Sequence, residues 1–528
     1  MTSEKQTKPM PLKAGTEELQ FPVRVACIDI GSNALRFLAA EFEDLHRYRL
    51  LEQDRAAVRL GHDVFLTGRL TGGAMDAAVA ALRGFAARMA DVEIAVYRCV
   101  ATSAVRESSN AREFLQRVQN QAGLELEVIS GSEEARLIYV AVRHAVDLTG
   151  RDWIVVDIGG GSVEVLIADD TAIMWSESHT MGSVRLLEEL SEAGEEPGRF
   201  RRLLEEYTAT LRLPAAAQSR KPSGFIATGG NAETLAQLAG AKSEAGAAAV
   251  LSVDAVRTII EKLSRLSYRQ RIEQLALRED RADVVLPAAL VYERLARLSG
   301  ASSMVIPGVG IKEGVLYDLV EAVTTQRAHA DKQERELAAA LVATGRRFAF
   351  DESHASQVAK HSLALFDQLE ELHKLGKVDR KVLQAAAWLH DVGGYISYKR
   401  HHKHSMYLIN NSELPGFSEG EITLAATVAR YHRKSEPGQS HPEFSGLKTG
   451  DQRKVQVLAA ILRLADALDR EHKESVRSLR AEVKGGEVIL RLEGDGDLLL
   501  EKWALKRKAP MFERVFERKL RVRNGGAG

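Results

Sequence analysis

Cysteine is almost absent from this chain: Cys27 and Cys99 are the only two in 528 residues, and each sits inside an apolar, strand-like run. Two thiols cannot build a disulfide framework for a chain of this length, so the fold must stand on packed cores, and a reducing cytoplasm is the expected compartment. An excess of charge of either sign is also missing. Lys and Arg number 72 against 73 Asp and Glu, a formal net charge of −1, so overall charge gives no signature of nucleic-acid binding, and any polyanion site must come from local clustering. No run of about 18 apolar residues occurs, which leaves no candidate membrane span. Met1 to Gln20 is polar and lacks the apolar centre of a signal peptide; a disordered leader is expected there. What is present is a hydrophobic fraction of 45% and a charged fraction of 27%, those of a soluble globular protein. At roughly 100 to 200 residues per domain the length predicts three or four domains.

The chemistry concentrates where apolar strands end in glycine. Trp153 to Ile167 runs from an apolar segment into Asp157, Gly159, Gly160, Gly161 and Ser162, then into a second apolar segment that carries Glu164. Without Cβ the glycines let backbone N–H groups approach a phosphate, and two carboxylates suit a hard divalent cation. A tight hairpin turn without a ligand is the plainer reading. Asp29-Ile30-Gly31-Ser32-Asn33, with Arg36 close behind, repeats the pattern 128 positions earlier, which suggests two related halves facing one cleft. Between them lie Ala101 to Arg106, where Arg106 offers a bidentate phosphate grip, and Ser130-Gly131-Ser132-Glu133-Glu134, where acids in a first helical turn are ordinarily dipole partners. Thr228-Gly229-Gly230 follows a strand and opens a helix, so its amides offer an anion site. Strands alternate with helices up to residue 322, the pattern of an α/β fold with largely parallel pairing.

Composition then changes. Ten of the fifteen histidines fall between positions 354 and 472, in text that is nearly all helical. Residues after 476 alternate as strands around Gly485-Gly486, and Lys and Arg gather toward the end. The resulting division is a leader at 1–20, α/β domains at 21–145 and 146–322, a helical domain at 323–475 and a small basic β-containing domain at 476–528.

Asp29 to Asn33, Ala101 to Arg106, Ser130 to Ala135, Asp157 to Glu164 and Thr228 to Gly230 together resemble, in order and spacing, the exopolyphosphatase / guanosine-pentaphosphate phosphatase family. The resemblance implies two ribonuclease-H-like domains of the actin and hexokinase type closing on a cleft, then a helical domain similar to HD phosphohydrolases and a small α+β appendage. It implies Glu134 as the base that activates water, and Asp157, Glu164 and Asp29 as ligands of Mg²⁺ or Mn²⁺. By the same resemblance Arg106, Asn33 and Ser32 grip the terminal phosphoryl group, joined by Gly159 to Ser162, Gly229 and Gly230. The implied activity is release of orthophosphate from inorganic polyphosphate, with the 5′-phosphohydrolysis of guanosine pentaphosphate (pppGpp) as the rival, and a non-catalytic polyphosphate-binding scaffold as the reading from another class. A cytoplasmic homodimer without nucleic-acid partners is expected. In the helical domain His361, His390, Asp391, His404, His432 and Asp466 follow the ligand order of an HD metal site, so a further divalent metal is a candidate there. Lys312 stands where relatives carry Arg, which keeps the charge and loses the fork.

Overall fold

A computed structural model describes residues 10–12, 18–191, 197–213, 222–241, 248–494 and 496–524. Most of the expected leader lies outside these residues, although Met10–Pro11 (β1) is a short strand. The chain divides into two compact units, Met1–Glu336 and Leu337–Gly528.

The first unit holds two six-stranded sheets. One contains Val23–Ile30 (β2), Leu35–Phe42 (β3), Tyr48–Ala56 (β4), Val96–Ala101 (β5) and Glu127–Val128 (β6), in the order β1-β5-β2-β3-β4 with β6 on β5. The other contains Trp153–Ile158 (β7), Val163–Ala168 (β8), Ile173–His179 (β9), Gly224–Thr228 (β10), Ala249–Ser252 (β11) and Ser303–Ile306 (β12), in the order β11-β12-β10-β7-β8-β9. Each half therefore repeats one design: an antiparallel meander of three strands, then two strands parallel to the first. Pairing is mixed rather than largely parallel. The reason is local: the loops at 31–34 and 159–162 are too short for a crossover, so each first strand must return antiparallel.

Both faces of each sheet are covered, and alternate strand residues enter different cores. In β2, Ala26, Ile28 and Ile30 join a core with the helices Gly72–Asp91 and Ala111–Ala122, whereas Val23, Val25 and Cys27 face the helix Ile311–Thr324. In β7, Ile154, Val156 and Ile158 pack on the helices of the second half, and Trp153 and Val155 pack on the helix Gly131–Ala145. The two inner helices are thus exchanged, since each leaves one half of the sequence to cover the sheet of the other. They cross at Gly314, where a Cβ would stand 1.9 Å from the Leu137 carbonyl oxygen. A buried network of Arg98, Arg136, Glu133 and Asp318 fixes the crossing, with N–O distances of 2.8–3.0 Å.

The second unit surrounds one hydrophobic core. The helices Glu352–Gln368, Lys377–Leu389, Glu419–Arg430 and Thr449–Ala467 supply most of it. Strands Val476–Lys484 (β13), Glu487–Gly494 (β14) and Lys519–Asn524 (β15) form a three-stranded sheet with β14 in the centre. Gly485 and Gly486 close the β13–β14 hairpin at φ +58° and +82°, the left-handed values that a two-residue turn of this kind demands. Val476, Val488 and Leu490 enter the same core as the helices, so the strands β13 and β14 continue the helical region rather than stand apart from it. No helix among the described residues is long and apolar enough to cross a membrane.

Candidate active site

The hairpins β2–β3 and β7–β8 bring the glycine loops of the first unit together. The turns match atom for atom: Gly31 N–H donates to the Ala34 carbonyl at 3.2 Å, and Gly159 N–H to the Ser162 carbonyl at 3.0 Å. A Cβ on Gly160 would lie 2.9 Å from Ser32 Cβ, and one on Gly161 would lie 2.4 Å from Ser103 Oγ. None of Gly159, Gly160 and Gly161 has positive φ; what they supply is close approach, not a left-handed turn. Their carbonyls are occupied, because Gly159 O accepts from Ser183 N–H, and Gly160 O from the N–H groups of Val184 and Arg185.

Between the loops lies a cavity of about 520 Å³ lined by Asp29, Ser32, Asn33, Glu134, Asp157, Gly159, Gly160, Ser162, Gly229 and Gly230 among others. Gly161, Arg106 and Glu164 are not in its lining. Gly161 turns toward Phe65 and Ser103. Arg106 stands behind Glu134, donating to its Oε1 at 2.5 Å and to the Ile129 carbonyl at 2.7 Å.

Strand register decides how the carboxylates meet. Asp29 pairs with Arg36 across β2–β3, and Arg36 Nη1 donates to Asp29 Oδ2 at 2.8 Å. The matching positions across β7–β8 are Asp157 and Glu164, two acids on one face. Asp157 Oδ1 accepts from Thr228 at 2.7 Å, and Glu164 Oε1 from Ser178 at 2.9 Å. Gly229, at φ +83°, has room beside Asp157 only because it lacks Cβ, which would approach Oδ1 to 2.6 Å. Asp29 Oδ1 and Glu164 Oε2 are buried without hydrogen-bond partners among the described residues. Such orphaned anionic oxygens are costly unless a cation reaches them, and an all-oxygen donor set fits Mg²⁺ or Mn²⁺.

Burial raises the carboxyls of this wall. Glu134 is pushed up to about 7 by burial, against the opposing pull of Arg106. Glu164 rises well above the usual carboxylate range through burial and the charge of Glu134, and Asp157 rises through burial. The glutamate pair divides its work: Glu133 belongs to the ion network at the helix crossing, and Glu134 faces the cavity.

Asn33 is committed to structure, donating to the Asp280 carbonyl at 2.9 Å and accepting from Arg59 at 3.0 Å. Arg59 in turn reaches Asp283 at 2.7 Å, and Arg55 pairs with Asp280. The sequence reading missed Arg281, Arg55 and Arg278, which line the cavity with Arg36 and Lys312. Burial, then the nearby Arg36, brings the Arg281 guanidinium down to about 10. Its place depends on Gly230, where a Cβ would lie 2.3 Å from Arg281 Nη2, and no local motif announces that contact. Lys312 Nζ pairs with Glu313 at 2.9 Å.

The chain matches the model of the Ppx/GppA phosphatase family over residues 39–323, and the model of domain III of the same phosphatases over residues 337–508. It belongs to the Ppx/GppA phosphatase family. An exopolyphosphatase from Cytophaga hutchinsonii is 28% identical at a TM-score of 0.54, over 57% of this chain and 98% of that one. An exopolyphosphatase-like protein is also 28% identical, at a TM-score of 0.50 over 56% and 97%. A family member from Aquifex aeolicus is 25% identical, at a TM-score of 0.48 over 56% and 97%. Membership makes this Ppx/GppA chain a phosphoanhydride hydrolase built on a mixed α/β, actin-like fold.

The second unit holds a separate histidine cluster. Potential ligand atoms of His354, His390 and Asp391 lie within 4.8 Å of one another, as do those of Asp391, His401 and His432. Asp466 Oδ1 stands 3.8 Å from His354 and 3.9 Å from His390. Of the six expected residues, His390, Asp391 and His432 fall in these groups. His361 Nε2 lies 3.1 Å from the Val476 carbonyl, to which it donates, and among the described residues His361, His404 and Asp466 belong to neither group of converging ligand atoms, whereas His354 and His401 do. Burial lowers His390, and brings His432 down to about 3.

Proposed function

We propose that the cleft of the first unit is an exopolyphosphatase site that releases terminal orthophosphate from linear polyphosphate. One observation carries the choice of substrate: Arg36, Arg55, Arg278, Arg281 and Lys312 all line the cleft, and the repulsion from Arg36, Arg55 and Arg278 that helps lower Arg281 is relieved by a polyanion with charge on every residue. Asp157, Glu164 and Asp29 would hold a divalent ion such as Mg²⁺, which would supply neutralisation of charge on the transferred phosphoryl group. Glu134 takes the proton of the attacking water, since a buried carboxyl near neutrality is a competent base at working pH. Arg106 orients Glu134 through the 2.5 Å contact and favours its ionised form. Ser32, Ser162 and the backbone N–H groups of Gly160, Gly229 and Gly230 offer donors to phosphate oxygens; the Gly159 N–H, held by the Ser162 carbonyl, and the committed amide of Asn33 hold their loops rather than the ligand.

The competing substrate, guanosine pentaphosphate, uses the same catalytic parts. Orthophosphate release is to be measured from long polyphosphate and from pentaphosphate in parallel, across ionic strength. A polymer site predicts preference for the long chain and a steep loss of that preference with salt; equal rates with equal salt slopes would sink it.

A further inference from the structure

A net charge near zero conceals one strongly positive surface in the second unit. Residues 392–412, 422–435 and 502–512 carry ten Lys and Arg and not one Asp or Glu. Folding brings these three stretches together. His401 stacks on His432 with ring centres 5.2 Å apart, and Lys508 Nζ donates to the carbonyls of His432 and Arg433 at 2.7 and 3.1 Å. The gathered charge is left uncompensated: among the described residues Lys399, Arg400, Lys403, Arg433, Lys506 and Arg507 take part in no ion pair. All but the half-buried Arg433 are exposed.

Aromatic rings stand among these cations. The Arg433 guanidinium lies over the Tyr398 ring, 5.3 Å from its centre, and the Arg507 guanidinium lies over the Trp503 ring at 4.8 Å. Tyr398 is 71% exposed and Trp503 52%, so each ring has a cation over one face and much of its surface in water. Tyr395 and Tyr407, also exposed, continue the surface to either side of Tyr398 along the chain. Exposed aromatic side chains gathered in one place mark a binding surface.

We propose that this surface binds single-stranded nucleic acid, with bases stacked on Tyr398 and Trp503 and phosphates held by Arg433, Arg507 and the lysines around them. Rings set among cations match a strand in which a flat base and a charged phosphate alternate, and a guanidinium beside each ring strengthens the stack. Two other polyanions fit the same side chains less well. Inorganic polyphosphate has no flat apolar face to lay on a ring, and a duplex keeps its bases paired and stacked inside.

The test is a titration of labelled oligothymidylate with the full-length protein, read by fluorescence anisotropy. The strand carries no terminal phosphate, so the cleft of the first unit has no phosphoryl end to grip. Saturable binding that weakens steeply with salt is expected, with quenching of tryptophan fluorescence that disappears in Trp503→Phe. Trp503→Ala and Tyr398→Ala should each weaken binding by roughly 5- to 100-fold, the worth of one stacked base, whereas Trp503→Phe should keep most of the affinity. Circular dichroism should show an unchanged fold in these surface variants, and orthophosphate release from a short polyphosphate should be unaffected. An abasic strand of equal length that binds as tightly, or alanine variants that bind as tightly as the wild type, would overturn base stacking and leave a surface for any polyanion. Phosphatidylglycerol vesicles that bind while the oligonucleotide does not would overturn the proposal in favour of a membrane surface.

Discussion

Asp29 and Asp157 occupy the same place in two hairpins of one topology, yet across the strand Asp29 meets Arg36 and Asp157 meets Glu164. The first pair closes as an ion bridge at 2.8 Å. The second sets two acids side by side, each carboxyl raised by burial, and leaves one oxygen of Glu164 without a partner. A like-charged pair directly across strands destabilises a sheet, so the second half carries a cost that the first half avoids. The asymmetry accords with the proposed cation site, which Asp29 shares through an Oδ1 that also lacks a partner among the described residues.

The largest effects should fall on Asp157, in the half without its own counter-charge, and on the proposed base Glu134. Asp157→Ala is expected to abolish Mg²⁺-dependent orthophosphate release while thermal unfolding shows a folded protein. Glu134→Gln should lower release by roughly 10²- to 10⁴-fold, the range for losing a general base, with polyphosphate binding retained. A variant that keeps turnover would break the assignment. Next comes the self-compensated half: Arg36→Met leaves Asp29, 1% exposed, buried without its partner and should cost roughly 3 kcal/mol in denaturant unfolding. If Arg36→Met proves neutral, the two hairpins are not distinguished by charge.

Acidity gives the third contrast. With Glu134 raised to about 7 and active when ionised, kcat/KM should fall about tenfold per pH unit below that value. The same shift works against stability. The folded state holds a proton that the unfolded chain releases in the ordinary carboxylate range, so stability falls as pH rises from about 4.3 toward 7, and Glu134→Gln should remove that slope. The smallest effect is also the most discriminating in sign. Glu164→Gln should stabilise the metal-free protein by on the order of 1 kcal/mol, a gain absent near pH 4 and growing above it, and should lose activity. Destabilisation at neutral pH would contradict the picture of a hairpin that needs a cation.

Much of this was readable before any coordinates. Asp157, Glu164 and the glycines between them stand out because strand periodicity and turn chemistry are local signals, and the echo at Asp29 follows from the same text. Arg281 was invisible because its position depends on a missing Cβ at Gly230, a contact across about fifty positions of sequence that no window spans. The histidine cluster fails differently. His354 and His361 lie two turns apart on one helix, on the same face, so periodicity cannot choose between them; about 1.5 Å of rise per residue separates them by about 10 Å, and only tertiary packing selects the nearer. His401 and His404 pose the same problem one turn apart.

The exchange of inner helices makes the two halves of the first unit mutually dependent. Cut between Ala145 and Trp153, the chain would yield one fragment whose sheet lacks the helix Ile311–Thr324 and another whose sheet lacks the helix Gly131–Ala145, each with an apolar face open to water. Neither fragment is an independent folding unit, and co-expressed they should recover each other as a heterodimer. The cleft is then an interface that the chain was obliged to form, and the loops that carry its chemistry meet whether or not a substrate is there.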